Sequence, residues 1–397
     1  MIAPFGVGRL PQIVFGEGSL AQVPALAGAL GCRVLLVTGG SFLRASRHWG
    51  PLEAGFRERG LELRTLAVTG EPSPALVDAA VREHRAAGIE VVVAIGGGSV
   101  LDAGKAVAGL LPSGRPVGDF LEDVGRGLPF EGPATPLIAV PTTAGTGSEA
   151  TKNAVLSEVG EHGYKKSFRH DALVPRWAVV DPDLLESCPR PLVAADGMDA
   201  LTQLLEAYVS RRASAFTDAL AESGLAAARD GLLAWYEGHG DPRAARSRMA
   251  WASLLSGITL AQAGLGAVHG LAAALGARFP LPHGYVCGTL VGAATGVNVA
   301  ALRARAPDSP ALAKYVRAWT ILAGPAGASP PPADAPERLA GLLEDWTLRL
   351  DLERLRARGV REDDLPALVA ASRGSSMKTN PVVLEDGEVA EILLRRL

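Results

Sequence analysis

Through the first 180 residues of this chain, short apolar runs alternate with segments of helical period; after about residue 190 such runs no longer occur. That change constrains the fold more than any other feature. The runs RVLLVT (33–38), LRTLAV (63–68), EVVVAI (90–95), LIAV (137–140) and WAVV (177–180) read as strands, with helix-period segments at 52–60, 75–87 and 100–111. Strands apolar on both faces and separated by helices form a parallel sheet covered on each side. The second half is rich in Ala and Leu at helical spacing over 198–209, 213–235, 244–263, 268–277, 285–301, 337–348 and 365–372, with GPAGASPPPADAP (324–336) as a connector between helices. The expected architecture is an α/β domain with a parallel sheet over 1–190 and an all-α domain over 191–397, with ligands in the cleft between them.

Hydrophobic residues make up 48% of the 397 and charged residues 20%, enough for a real core, and the formal charge of −3 argues against a nucleic-acid partner. The three cysteines, Cys32, Cys188 and Cys287, form no CxxC pair. Reduced thiols are therefore expected, without a disulfide framework or a thiolate zinc site. No charged start precedes an apolar core at the N-terminus, and no uninterrupted apolar run reaches the roughly 20 residues of a spanning helix. A soluble, cytoplasmic chain without a membrane partner is expected.

The segment AIGGGSVLDAGKA (94–106) joins a strand end to a helix start through Gly96, Gly97 and Gly98. Adjacent glycines let backbone N–H groups approach an anion, and the helix N-terminus adds its partial positive charge. Ser99 is expected to cap that helix, with Asp102 three residues on as in a capping box. A second loop, PTTAGTGSEAT (141–151), offers Thr142, Thr143, Thr146 and Ser148 to a ribose or phosphate. Two such loops at neighbouring strand ends imply a dinucleotide groove, making the first half a dinucleotide-binding domain. The first strand runs into Gly39, Gly40 and Ser41, without the acid that would bond an adenosine 2′-hydroxyl, and Arg44 and Arg47 follow. This favours NADP(H), with NAD(H) the alternative.

Asp199 and Gln203 stand one helical turn apart, and His269 and His283 lie fourteen residues apart across a Gly-rich helical stretch. A carboxylate and two imidazoles suit Fe²⁺ or Zn²⁺. Glu206, three residues after Gln203, is a candidate partner behind a ligand. His48, His84, His162, His170 and His239 read as solvated, and Trp235 and Trp251 as core or interface residues.

Taken together, GGGSVLDAGKA, PTTAGTGSEAT, DGMDALTQLLEAYVS, VHGLAAALG…PLPHG and SSMKTNP resemble the iron-containing (group III) alcohol dehydrogenase family over nearly the whole chain. The resemblance implies an NAD(P)-dependent oxidoreductase that moves a hydride between nicotinamide and a small alcohol or carbonyl, with metal assistance. It implies Asp199, His269 and His283 as metal ligands and catalytic residues. It also implies Lys166, or its neighbour Lys165, near the cofactor ribose. A homodimer formed through the N-terminal domain follows by the same analogy, with PQIVFG (11–16) as a candidate pairing strand. The family's fourth ligand, a histidine, is replaced by Gln203, and a further active-site histidine by Ala273. Three outcomes are open: Gln203 ligates through its amide oxygen, water completes a three-residue site, or the metal is lost. The last would suit a metal-independent reductase of the maleylacetate type, for which Arg169 or Lys378 would supply a cation. A lyase of the dehydroquinate synthase type shares the architecture but not the motif details, and a non-catalytic nucleotide-binding protein is the remaining alternative.

Overall fold

A computed structural model describes residues 2–324 and 330–397. The first half builds a six-stranded sheet from β1 (Gln12–Phe15), β2 (Arg33–Gly39), β3 (Glu62–Val68), β4 (Val91–Gly96), β5 (Leu137–Pro141) and the later Trp177–Val180, here β8. The order is β1-β8-β5-β4-β2-β3, and every pairing is parallel. The intervening helices are α1 (Val23–Gly28), α2 (Phe42–Ala45), α3 (Trp49–Glu58), α4 (Pro74–His84) and α5 (Gly98–Leu110).

Strand alternation explains how both faces are covered. Leu35 and Val37 of β2 and Val92 and Ala94 of β4 pack in one cluster with α4 and α5. Val34, Leu36, Val91, Val93 and Ile95 point the other way, into a cluster with α1 and α3. Chain order reverses at the middle of this sheet. The chain steps from β2 outward to β3, then returns to place β4 and β5 on the opposite side of β2. The carboxyl ends of β2, β4 and β5 therefore flank a topological switch point, with Gly96 opposite Pro141 and Thr38 opposite Ile95.

A two-stranded antiparallel hairpin, β6 (Asn153–Glu158) and β7 (Tyr164–Arg169), lies outside the main sheet. It goes beyond the sequence expectation, because YKKSFR carries no apolar alternation strong enough to mark a strand. From residue 190 onward the structure is helical: α6 (Arg190–Val209), α7 (Ala215–Glu237), α8 (Pro242–Ala263), α9 (Ala267–Arg278), α10 (His283–Arg305), α11 (Pro310–Ala323), α12 (Ala335–Arg349), α13 (Leu365–Ala371) and α14 (Asp386–Arg396). Helices α11 and α14 likewise add to the expected set. Within the expected connector, residues 325–329 lie outside the described residues, and Ala335 and Pro336 already belong to α12.

Helix α10 is long and apolar enough to cross a membrane by composition, although its sequence is not an unbroken apolar run. Its most apolar window is 89% buried inside the protein, where it packs against α6 and α12. Its hydrophobicity is that of a central core helix.

The two halves meet backbone to backbone where Gly147, in a left-handed turn at φ 58°, faces Gly257 of α8. A Cβ at Gly257 would overlap the Gly147 carbonyl, so no side chain fits there. Gly341, in contrast, lies exposed in α12, where an added methyl group would meet nothing within 4 Å. Gly257→Ala should destabilise the protein by about 1–3 kcal/mol or more through overpacking. Gly341→Ala should be neutral or stabilising by up to about 1 kcal/mol. Urea midpoints of the two variants check this; equal shifts would refute the backbone contact.

Candidate active site

The cleft is built from loops at the switch point and from helices of the second half. On the sheet side, helix α5 starts at Gly98 with Gly97 as its N-cap in extended backbone, and no side chain caps it. The expected Ser99 cap is therefore corrected: Ser99 is already inside the first turn. Asp102 does not complete a capping box. Its carboxylate accepts from the Ser148 hydroxyl at 2.5 Å and from the Val155 N–H at 3.1 Å. The first-turn N–H groups at Gly98 and Ser99 have no acceptor within the helix, as at any helix start, which suits an anion. Gly98 is required by contact, since a Cβ there would come within 2.6 Å of the Thr146 methyl.

Lys105 escapes the sequence reading and is the knot that holds these two loops together. It is fully buried, and its ammonium donates to Ser148 Oγ (2.7 Å), Thr151 Oγ1 (2.7 Å) and the Asn153 carbonyl (2.8 Å), with Asp102 at 3.4 Å. Burial lowers its pKa, and Asp102 counteracts that. The available signal is a lysine among the small residues of DAGKAVAG, on a helix with no obvious polar face.

On the helical side, Asp199, Gln203 and Glu206 project from α6 at spacings of four and three, and all three are buried. His269 sits in the first turn of α9 and His283 is the first residue of α10. Gly284 lets α10 start directly against the Ala195 carbonyl of α6. His269 Nε2 lies 3.2 Å from Asp199 Oδ1, and His283 Nε2 lies 3.9 Å from the same oxygen. Glu206 stands behind His269: its carboxylate meets Nδ1 at 2.7 Å and accepts from the Gly266 and Val268 N–H groups. That leaves Nε2 facing Asp199, the arrangement of a carboxylate-supported metal histidine. Asn380, from the MKTNP segment, accepts from the Ala267 N–H and completes the N-terminal cap of α9.

Cys287, one turn after His283, also joins the cluster. Its sulfur is 3.7 Å from Nε2 of both histidines, and one donor atom from each of Asp199, His269, His283 and Cys287 lies within 4.8 Å of the others. A search for CxxC pairs passes over this cysteine, because its partners are histidines and a carboxylate. Asp199 Oδ2 and His283 Nδ1 are buried without a hydrogen-bond partner. A buried carboxylate oxygen left unpaired fits a cation at this point. Gln203 borders the cleft, but its amide oxygen accepts from the Ser256 hydroxyl at 2.8 Å.

The charges in the cluster respond strongly to one another. Burial works against ionised Asp199, yet His283 and His269 outweigh it and bring its pKa to about 2. Burial lowers His283 to about 4, against the pull of Asp199. Burial also opposes a charge on His269, but the Cys287 sulfur and the Asp199 and Glu206 carboxylates hold its pKa well above the ordinary value.

Two adjoining cavities, of about 920 and 550 Å³, share Glu71, Gly98, Thr146, Asp199 and His283 in their walls. The larger holds Gly39, Gly96, Gly97, Thr142 and Thr143; the smaller holds Asp102, Ser148, Gln203, His269 and Ala273. Gly40 and Ser41 are exposed just beyond the larger cavity. Lys165 and Lys166 both line the smaller one. Lys165 is the more buried and pairs with Glu71, while Lys166 pairs with Asp123 at 2.8 Å toward the rim. Arg169 faces the same cavity and pairs with Glu122. Near the β2 end, Arg47 pairs with Glu186, whereas Arg44 stacks over Trp49 and makes no ion pair among the described residues. The solvated reading of His84 is corrected, because α4 turns that side chain into the core, 3% exposed.

The sequence comparisons agree with this geometry. Residues 11–182 match the family model of iron-containing alcohol dehydrogenases, and residues 193–397 match the C-terminal model of the Fe-containing alcohol dehydrogenase family. The chain belongs to the iron-containing alcohol dehydrogenase family. It is an oxidoreductase acting on CH–OH groups. The probable alcohol dehydrogenase EutG of Escherichia coli (strain K12) is 38% identical over 280 residues, covering 69% of this chain and 68% of EutG. Alcohol dehydrogenase 4 of Saccharomyces cerevisiae (strain YJM789) is 36% identical over 283 residues, 71% of this chain and 72% of that protein. The crystal structure of a 1,3-propanediol oxidoreductase superposes with a TM-score of 0.87 at 28% identity, covering both chains completely.

Beside the nucleotide loop, Glu149 is buried with Oε1 unpartnered, and burial pushes its pKa up to about 7 against the opposing pull of Lys105. Unfolded, this carboxyl ionises near its ordinary value of 4.5. The folded state therefore retains the proton longer, and stability falls as pH rises from about 4.5 through 7. Glu149→Gln should remove that loss, so its melting temperature relative to the parent should rise between pH 5 and pH 8. A pH-independent difference would contradict the burial of this carboxyl in neutral form.

Proposed function

We propose that this enzyme reduces small aldehydes or ketones and oxidises the corresponding alcohols with NAD(P)(H), prefers NADP(H), and is assisted by a divalent cation, Fe²⁺ or Zn²⁺. One observation carries the reading: the nucleotide loops and the Asp199, His269 and His283 cluster border one continuous cleft and share walls at Gly98, Thr146, Asp199 and His283. In this reading residues 1–190 hold the cofactor, and residues 191–397 supply the metal and substrate groups.

Gly96, Gly97, Gly98 and the α5 N-terminus suit the pyrophosphate. Thr142, Thr143 and Thr146 suit its oxygens or a ribose, with Lys165 or Lys166 at the far wall. Asp102 and Ser148 act by keeping the two loops in register through Lys105. When bound, the cation draws electron density from the substrate oxygen, and the nicotinamide supplies or accepts the hydride. Glu206 orients His269, and Asp199 provides the fixed negative charge. Ala273 offers no titratable group at the position where the family resemblance implies a histidine, so the proton that balances reduction has to come from another group of the cleft or from solvent.

The β2 end supports the cofactor preference. No carboxylate follows Gly39, and Arg44 is free of ion pairs among the described residues. Outer edge strand β1, with Ile13 and Phe15 partly exposed, is the proposed pairing surface of a homodimer.

Two measurements test this. Oxidation of NADPH on an aldehyde panel should fall at least roughly 100-fold after chelation and return with Fe²⁺ or Zn²⁺, the scale of a few kcal/mol of lost charge stabilisation. Full activity after complete metal removal would instead favour a metal-independent reductase. Arg44→Ala should raise KM for NADPH roughly tenfold, as for a lost charge-assisted hydrogen bond, with little change for NADH. An equal effect on both cofactors would remove the case for 2′-phosphate recognition.

A further inference from the structure

Glutamine at position 203 leaves the cluster one strong donor short of the four implied by the family resemblance. We infer that Cys287 supplies that donor, so that the metal is held by Asp199, His269, His283 and a cysteine thiolate, a donor set that suits zinc. This rests on the metal-assisted reading above and specifies the ligand set of the same site.

Three independent features support it. First, the positions fit. Tetrahedral zinc, with bonds of about 2.3 Å to sulfur and about 2.0 Å to nitrogen or oxygen, places sulfur and nitrogen roughly 3.5 Å apart and oxygen and nitrogen roughly 3.3 Å apart. The Cys287 sulfur is 3.7 Å from each imidazole Nε2, and Asp199 Oδ1 is 3.2 and 3.9 Å from the same two nitrogens. Second, the supports are already in place. His283 and Cys287 are four apart on α10 and so project from one face, and Glu206 fixes His269 with Nε2 toward the sulfur. Asp199 Oδ2 is buried without a hydrogen-bond partner, which fits a cation beside this carboxylate. Third, Gln203 is otherwise engaged. Its amide oxygen lies 2.8 Å from the Ser256 hydroxyl, whose single proton is shared with the Ser253 carbonyl, also at 2.8 Å. The Ser256 contact takes up one lone pair of the oxygen and anchors the amide on that side, whereas the Cys287 sulfur faces the two imidazoles.

The chemistry favours a soft metal. A thiolate with two imidazoles and one carboxylate matches zinc and disfavours the harder, oxygen-rich coordination of magnesium or calcium. Coordination requires the Cys287 proton to leave as the metal enters, so uptake releases a proton to solvent. Cys287 is buried, so the thiolate would be screened from other reactions.

Cobalt(II) is the probe, because cysteine ligation gives it a near-ultraviolet thiolate-to-metal charge-transfer band that imidazole and carboxylate ligands do not produce. The full-length protein, stripped and loaded with one equivalent of Co²⁺, should show that band. Cys287→Ser should lose it and weaken zinc binding by more than the roughly 10–100-fold that follows loss of an outer-shell partner. Gln203→Ala should retain it. Melting of the metal-free forms checks that Cys287→Ser is folded, and the parent spectrum needs no variant at all. Stoichiometric cobalt without the band overturns the cysteine ligand while leaving the metal site standing. Failure of the parent to bind cobalt or zinc, with no change on Asp199→Ala, overturns both.

Discussion

The Glu206 carboxylate organises the helical half of the cleft. It accepts from the N–H groups of Gly266 and Val268, satisfying the start of α9, and meets Nδ1 of His269 in the same helix turn. Helices α8 and α9 bend by 99° at this break, and the bend is what turns His269 back toward α6. An unpaired helix start buried this deeply would be costly, so a single carboxylate both stabilises the bend and aims the imidazole. Asn380 adds the remaining acceptor, which ties the C-terminal end of the chain to the site.

Lys105 plays the matching part in the sheet half. A fully buried ammonium is tolerated only with its donors satisfied, and here the partners come from the second nucleotide loop and β6, with Asp102 of the same helix alongside. The two knots do not touch, but Gly147 against Gly257 brings their frameworks together without intervening side chains. That contact lies next in sequence to Thr146 and Ser148, which line the cavities.

Much of the fold is legible in the sequence. Continuous apolar runs and helical spacing are local properties, and the strands at 33–39, 62–68, 91–96, 137–141 and 177–180 appear within a residue or two of their expected ends. The hairpin at 153–169 is hidden because one of its faces lines a polar cleft, leaving only Ala154, Leu156 and Phe168 as its fully buried apolar residues. His84 misleads because one histidine on a mixed helix gives no hint of which face turns inward. The glycine loops are visible for a physical reason: three adjacent glycines are unfavourable anywhere that does not need close approach.

The sequence by itself determined the two-part architecture, the phosphate-type loops and, through motif resemblance, the family and three donor positions, since each depends on short-range pattern. Only tertiary structure decided which side chains share a point in space. Asp199, His269 and the pair His283 and Cys287 lie on three different helices, far apart along the chain. Their convergence depends on the α8–α9 bend and on Gly284 at the start of α10, so no spacing rule could place the Cys287 sulfur beside two imidazoles, or commit the Gln203 amide to Ser256.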